Sequence, residues 1–188
     1  TASAVEHIRK AKAAGVAVTC SVSPAHLFFS DEDLRDYDSN LKINPPLRTP
    51  TDRAALQAGL LDGTIDCFAS HHQPQGIDQK LCEFEYAKNG MSSLETVFAA
   101  VNTALHAQDA LDAIIESLTS KPRKIFKLTE PVLEPGAMAC LTIFNPEMPV
   151  TFSASNWHSK SKNSAFFDKA LKGKVIGTIY HHHSYFDL

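Results

Sequence analysis

The feature that most constrains the fold is an alternation of helices and strands. Helical patterns cover residues 1–14 and 51–61, and each precedes a short apolar run with strand character, at residues 16–22 and 65–69. Strands that alternate with helices form parallel β-α units. Two parallel strands alone would leave unpaired edges. The sequence therefore predicts part of a larger α/β fold, whose edges a partner or another copy of the chain must cover.

The sequence pattern changes after residue 128. Prolines separate short runs of alternating polarity in this part of the chain. This pattern is typical of a small antiparallel β unit. The runs lie at residues 139–144, 150–152 and 174–180. This change predicts two parts, residues 1–128 and residues 129–188. A basic loop at residues 157–167 is predicted to be solvated, with anion binding as the alternative.

Composition and charge exclude several classes of function. Of the 188 residues, 44% are hydrophobic and 21% are charged, which suffices for one sizeable core. The formal net charge is −3 and the basic residues are scattered, so no nucleic-acid partner is expected. The longest apolar runs are too short to span a bilayer, so no membrane association is expected. The four cysteines form no C-x-x-C pair, which predicts reduced thiols and a cytoplasmic location.

The first candidate site lies where the strand at residues 65–69 ends. Ser70, His71 and His72 follow this strand, and Pro74 prevents further strand pairing. Enzymes of the α/β class place their chemistry at the carboxyl ends of buried strands. Imidazole binds metals and transfers protons near neutral pH. The alternative is a polar loop in which one histidine is hydrogen-bonded and the other is solvated.

Local signals predict how the other segments are arranged. Two prolines stiffen the loop that follows Asn44, and its local sequence favours a plain connector over a loop that presents the Asn44 amide to a ligand. Thr51 is predicted to cap the second helix. Ser92 and Glu95 have the spacing of a capping box, which predicts a helix to about residue 107. A further helix is predicted over residues 109–118, and residues 26–29 are predicted to form an apolar loop.

Several motifs together resemble the dihydroorotases of the amidohydrolase superfamily, over nearly the whole chain. They include NPPLR, FASHHQPQ, GMSSLET, PGAMACLTIFNP and SKSKNSAFF. The resemblance implies the C-terminal portion of a metal-dependent (β/α)8 barrel of the TIM type over residues 1–128, and a small accessory β domain over residues 129–188. It also implies interconversion of dihydroorotate and carbamoyl aspartate in pyrimidine biosynthesis. One or two zinc ions polarise the amide carbonyl in such enzymes.

The resemblance assigns roles to individual residues. Asn44 matches the substrate-binding Asn of the family. The family pattern Asp-His-Ala-Pro-His reads His-His-Gln-Pro-Gln here, so His71 occupies the position of the catalytic, metal-binding Asp and Gln75 that of a substrate-binding His. Asn89 and Gly90 stand where a backbone pair binds the pyrimidine ring. His71 is thus a candidate catalytic and metal-binding residue, without the negative charge that an Asp brings to zinc.

The sequence is consistent with three hypotheses about function. The other metal ligands of the family lie on earlier strands that this sequence does not contain, so the chain alone is expected neither to bind zinc nor to be active. It would act as part of a dihydroorotase-type enzyme, completed by a missing N-terminal half or as a homo-oligomer. The alternative is a non-catalytic, dihydroorotase-like partner of aspartate carbamoyltransferase. The third hypothesis is a protein that has a metal site but acts on another cyclic amide or imide.

Overall fold

The computed structural model describes residues 1–105 and 110–187. The helices are α1 (Ala2–Ala13), α2 (Pro24–Phe28), α3 (Pro50–Leu61), α4 (Val97–Leu105), α5 (Ala110–Leu118) and α6 (Ser120–Phe126). The strands are β1 (Ser21–Val22), β2 (Cys67–Phe68), β3 (Cys140–Val150), β4 (Leu171–Tyr180) and β5 (His183–Phe186). The predicted end of one helix near residue 107 and the predicted start of the next at residue 109 lie outside the described residues. No helix within the described ranges is long and apolar enough to cross a membrane.

Strands β1 and β2 form a parallel pair, as the sequence predicts. Ser21 is paired with Cys67, and the register continues for one more residue. Both strands are shorter than the apolar runs at residues 16–22 and 65–69, because each has only one neighbour within the described part of the chain. Since the strands are parallel, the residues that follow them lie at the same edge of the sheet.

Two helices begin differently from the prediction. Helix α2 replaces the predicted apolar loop, and the Ser23 hydroxyl accepts a hydrogen bond from the backbone N–H of His26 at 3.4 Å. A helix of five residues is too short to show a periodic pattern in the sequence. Helix α3 is capped by Thr49 rather than Thr51, because the Thr49 hydroxyl accepts from the backbone N–H of Asp52 at 3.2 Å.

The capping box predicted before α4 does not form. The buried Ser92 hydroxyl has no hydrogen-bond partner among the described residues. The Glu95 carboxylate instead accepts hydrogen bonds from the backbone N–H groups of His158 and Ser159, at 3.0 and 2.9 Å. Burial opposes ionisation, but these hydrogen bonds hold the pKa of Glu95 below its ordinary value. Glu95 therefore ties the start of α4 to the basic loop.

The three C-terminal strands form an antiparallel sheet in the order β3-β4-β5. Strand β3 extends to Val150, so it includes the start of a run that the sequence predicted as a separate strand. Strand β4 packs on α4 at Gly173, where an added Cβ would lie 2.9 Å from the Phe98 ring. Phe98 also contacts Phe144 of β3 edge to face, with ring centroids 4.8 Å apart. The sheet is thus anchored to the helical part of the protein.

One core cluster contains side chains from both ends of the chain. Phe166 is fully buried, and its ring centroid lies 5.4 Å from that of Phe28 and 4.9 Å from that of Phe29. Ala165 and Leu171 belong to the same cluster. Residues on both sides of the predicted boundary therefore share a core, and the division into two domains stays a prediction.

Candidate functional site

A small pocket lies at the edge where β1 and β2 end. Asn44, His71 and Gly90 line it, so the structure brings together three of the five predicted site residues. Gln75 and Asn89 do not line it. The other polar side chains in its wall belong to Ser23, Ser70, Gln73 and Ser93. No aspartate or glutamate of the described ranges lines this pocket, so its chemistry is that of hydrogen bonding and imidazole.

His71 is exposed and has an unusual backbone conformation. Its φ of 47° lies in the left-handed region, which non-glycine residues rarely adopt and which is enriched at functional sites. Its ring meets the ring of His26 edge on, with centroids 6.5 Å apart. Within the described residues, neither ring nitrogen of His71 has a hydrogen-bond partner. Both nitrogens are therefore available to an external ligand.

His72, the neighbouring histidine, stabilises local structure. Its Nδ1 accepts hydrogen bonds from the backbone N–H groups of Ser93 and Leu94, at 3.2 and 3.1 Å. A nitrogen that accepts carries no proton, so the neutral ring has its proton on Nε2. His72 thereby fixes the segment that enters α4, and it contributes to the pocket only through this segment.

His26 is the pocket neighbour that the sequence did not single out. Its Nε2 lies 3.0 Å from the carbonyl oxygen of Pro45, and its Nδ1 lies 2.6 Å from the Ser23 hydroxyl. A carbonyl can only accept, so Nε2 donates and Nδ1 accepts. Burial and the neighbouring His71 lower the pKa of His26, although the bond to Pro45 opposes this. The available signal was the spacing of Ser23 and His26 across the first turn of a short helix.

His26 is expected to make folding stability depend on pH. Because its folded-state pKa is lowered, the unfolded chain binds more protons below about pH 6.5, and stability falls as the pH falls through that value. Thermal unfolding measures this dependence. Between about pH 7.5 and about pH 5.5, the melting temperature of His26→Gln is expected to fall less than that of the wild type. The matched control is His7→Gln, at an exposed position on α1, which should keep the wild-type loss. An equal loss in all three proteins would contradict this role of His26.

Asn44 presents a free amide to the pocket. The side chain is exposed, and within the described residues its amide makes no hydrogen bond. The loop is held in place from both sides, by the bond from His26 to the Pro45 carbonyl and by the buried side chain of Leu47. Asn44 and His71 line the same pocket, so this position allows the loop to present the Asn44 amide to a ligand, which stays a prediction.

Gln75 and Asn89 lie outside the lining of the pocket. The Gln75 side-chain amide donates to the carbonyl oxygen of Asn89 at 3.0 Å. Asn163, which is buried, accepts from the backbone N–H of Gln75 at 3.0 Å and donates to the carbonyl of Gly90 at 3.2 Å. Gly90 has φ +117°, and a Cβ there would lie 2.7 Å from the Gln73 side chain and backbone. These contacts fix the wall at Gly90.

The described residues do not form a metal site by themselves. They contain no group of three His, Cys, Asp or Glu side chains that could hold a metal ion. Both nitrogens of His26 are occupied by protein hydrogen bonds, which leaves His71 as the free imidazole of the pocket. Zinc needs three or four ligands, so one imidazole does not fit it.

Comparison with curated proteins tests the resemblance to the dihydroorotases. No family model matches the chain. The dihydroorotase of Syntrophus aciditrophicus is 39% identical over 180 residues, which cover 95% of this chain and 42% of that protein. The predicted resemblance to the dihydroorotases is confirmed. The dihydroorotase of Listeria innocua gives the same identity and the same coverage. The dihydroorotase-like chain thus spans about 42% of the length of these relatives.

Solved structures show the type of fold. The L-hydantoinase (dihydropyrimidinase) from Arthrobacter aurescens has a TM-score of 0.88 and 25% identity, over 97% of this chain and 42% of that one. The inactive dihydroorotase-like domain of a CAD-like multifunctional protein from Chaetomium thermophilum has a TM-score of 0.69 and 22% identity, over 98% and 48% of the two chains. The dihydroorotase-like chain therefore has an amidohydrolase-type fold. Its parallel strands form no closed barrel within the described residues.

Proposed function

We propose that the chain is part of a dihydroorotase-type cyclic amidohydrolase that acts on dihydroorotate in cytoplasmic pyrimidine biosynthesis. Residues 1–128 would belong to a (β/α)8 barrel of the TIM type, and residues 129–188 to an accessory β domain. The observation that carries the proposal is the meeting of Asn44, His71 and Gly90 at the edge where β1 and β2 end.

Each of these residues suits the recognition of a cyclic amide. The Asn44 amide offers both a donor and an acceptor, which complement the N–H and C=O groups of such a ring. Gly90 contributes only backbone atoms to the pocket, because Gln73 fills the space that a Cβ would need. His71 can donate or accept a hydrogen bond through either nitrogen. The pocket as described has a volume of only about 10 Å³, so these groups form one wall of a site that a second segment must complete, and the carboxylate that would balance a metal charge must come from that segment.

Completion of the site requires a second segment. Each parallel strand has one free edge within the described residues, which is where further strands of a barrel would add. We assign this role to an N-terminal half of the protein or to another copy of the chain in a homo-oligomer. Zinc is proposed only for the completed protein, because the pocket supplies one free imidazole.

An Asn44→Ala change tests this function in the longest form of the protein that its gene encodes. We expect kcat/KM for dihydroorotate to fall about 10-fold to 100-fold, because one hydrogen bond to a charged or polar substrate group is lost. The assay follows ring opening by ultraviolet absorbance with zinc supplied. Asn156→Ala, in an exposed turn outside the pocket, is the matched control and should leave kcat/KM unchanged. Equal activity of the two variants would refute a substrate contact at Asn44.

A second candidate function is a non-catalytic partner of aspartate carbamoyltransferase. The observation that favours it is His71 in a pocket without any carboxylate among the described residues. Size-exclusion chromatography of the chain with the aspartate carbamoyltransferase of the same organism tests it, and separate elution of the two proteins would reject it. Turnover of hydantoin or dihydrouracil instead of dihydroorotate would favour the third hypothesis, a different cyclic amide. No role with nucleic acids or membranes is proposed.

A further inference from the structure

A second cleft lies between the loop that follows Pro74 and the basic loop. Its volume is about 660 Å³. Three lysines line it, Lys80, Lys160 and Lys162, together with hydroxyl and amide groups that include those of Ser161 and Asn163. No acidic side chain from the described ranges lines it. A cleft with ammonium groups and no carboxylate favours an anionic ligand.

Lys80 is the fixed cation of this cleft. It is only 6% exposed, and its Nζ donates to the carbonyl oxygens of Ser39 and Lys88, both at 2.7 Å. An ammonium group has three N–H donors, and the third has no acceptor among the described residues. Burial lowers the pKa of Lys80 to about 8, although the charge of Asp38 opposes this. A buried cation with one unsatisfied donor is costly, and a bound anion would remove that cost.

Lys160 and Lys162 belong to the basic loop and line the same cleft, and both side chains are exposed. The Lys162 amine donates to the carbonyl oxygen of Trp157 at 2.8 Å, whereas the Lys160 amine makes no hydrogen bond within the described residues. The loop between them is held by the Ser161 hydroxyl, which donates to the Gln75 carbonyl at 2.6 Å and also contacts Asn163. The cleft thus combines two exposed cations with one buried cation, beside a loop that is held by hydrogen bonds.

We propose that this cleft binds a compound that carries a phosphate group, whose oxygens accept hydrogen bonds from Lys80, Lys160 and Lys162. Phosphate matches the site because it presents several acceptor oxygens and more than one negative charge to three ammonium donors. The cleft is larger than one phosphate group, so polar atoms of the rest of the compound would meet Ser161 and its neighbours. The inference does not rest on the function proposed for the pocket of Asn44, His71 and Gly90, although Gln75 and Asn163, which adjoin the wall of that pocket, also line this cleft.

Binding to the full chain tests the proposal. The probes are inorganic phosphate and ribose 5-phosphate, titrated at constant ionic strength and followed by amide chemical shifts. We expect saturable binding, and the double variant Lys160→Gln/Lys162→Gln should weaken it about tenfold or more because two charged donors are lost. The matched control Lys124→Gln/Lys169→Gln removes the same charge from exposed positions outside the cleft and should leave the affinity unchanged.

The outcomes separate the possible ligands from non-specific attraction. Tighter binding of ribose 5-phosphate supports a larger phosphorylated compound, and equal binding of both probes supports free phosphate as the ligand. The absence of saturable binding by the wild type would overturn the proposal. Equal weakening by the two double variants would also overturn it, because net charge would then explain the effect. All four altered lysines are exposed, and thermal unfolding should confirm that both variants fold.

Discussion

A Phe166→Ala change is expected to lower the free energy of unfolding by about 3–5 kcal/mol. The Phe166 ring is fully buried and packs against both Phe28 and Phe29, so its removal loses apolar contact and leaves a cavity. Urea unfolding followed by circular dichroism measures the change. The loss is large because the whole stability of a domain is about 5–15 kcal/mol.

The control for this prediction is Phe126→Ala, at the end of α6. Phe126 is 69% exposed, so its removal should change the free energy of unfolding by no more than about 0.5 kcal/mol. A loss in Phe166→Ala as small as that of the control would contradict the shared core. The C-terminal segment would then unfold separately from α2 and its neighbours.

A Gly90→Ala change is expected to destabilise the protein by about 2–4 kcal/mol and to displace the pocket wall. Two costs combine at this position. The φ of +117° is one that side chains other than glycine rarely adopt, and the new Cβ would lie 2.7 Å from both the Cβ and the carbonyl oxygen of Gln73. The backbone atoms of Gln73 cannot move without breaking the bond from its N–H to the Met91 carbonyl, 2.9 Å long.

Gly15→Ala separates these two costs. Gly15 also has positive φ, at +78°, but no atom lies within 4 Å of the position of an added Cβ. Its substitution should therefore show only the conformational cost, about 1 kcal/mol. Equal unfolding free energies for the two variants would mean that Gly90 is not closely packed against Gln73.

Much of the fold follows from local sequence patterns. The limits of α1, the end of α3, the parallel pairing of β1 with β2 and the antiparallel C-terminal strands agree with hydrophobic periodicity and with the turn residues between elements. The strand lengths were not predictable, because the number of paired residues depends on neighbouring strands. Likewise, Ser92 and Glu95 have the right spacing for a capping box, but Glu95 finds better donors at His158 and Ser159, more than sixty residues away.

The candidate site was predictable in part, for similar reasons. Parallel strands bring the residues after β1 and β2 to one edge, and the family resemblance adds Asn44 and Gly90 to His71. His26 was missed because it lies in an apolar run, where only the short helix α2 turns it toward Ser23 and Pro45. The contacts of Gln75 depend on residues far along the chain, which no local pattern reveals.

The measurement that tests the central claim most directly is dihydroorotate ring opening, with zinc supplied, by chain 1–188 and by the longest form that its gene encodes. Residues 1–188 contribute one free imidazole and no carboxylate to the pocket as described, so the chain alone should show no turnover. The longest form should open the ring and contain zinc by elemental analysis. Turnover by chain 1–188 alone would contradict the account, because the pocket would then need no second segment. A zinc-loaded longest form without turnover would contradict the enzymatic assignment and favour a non-catalytic partner.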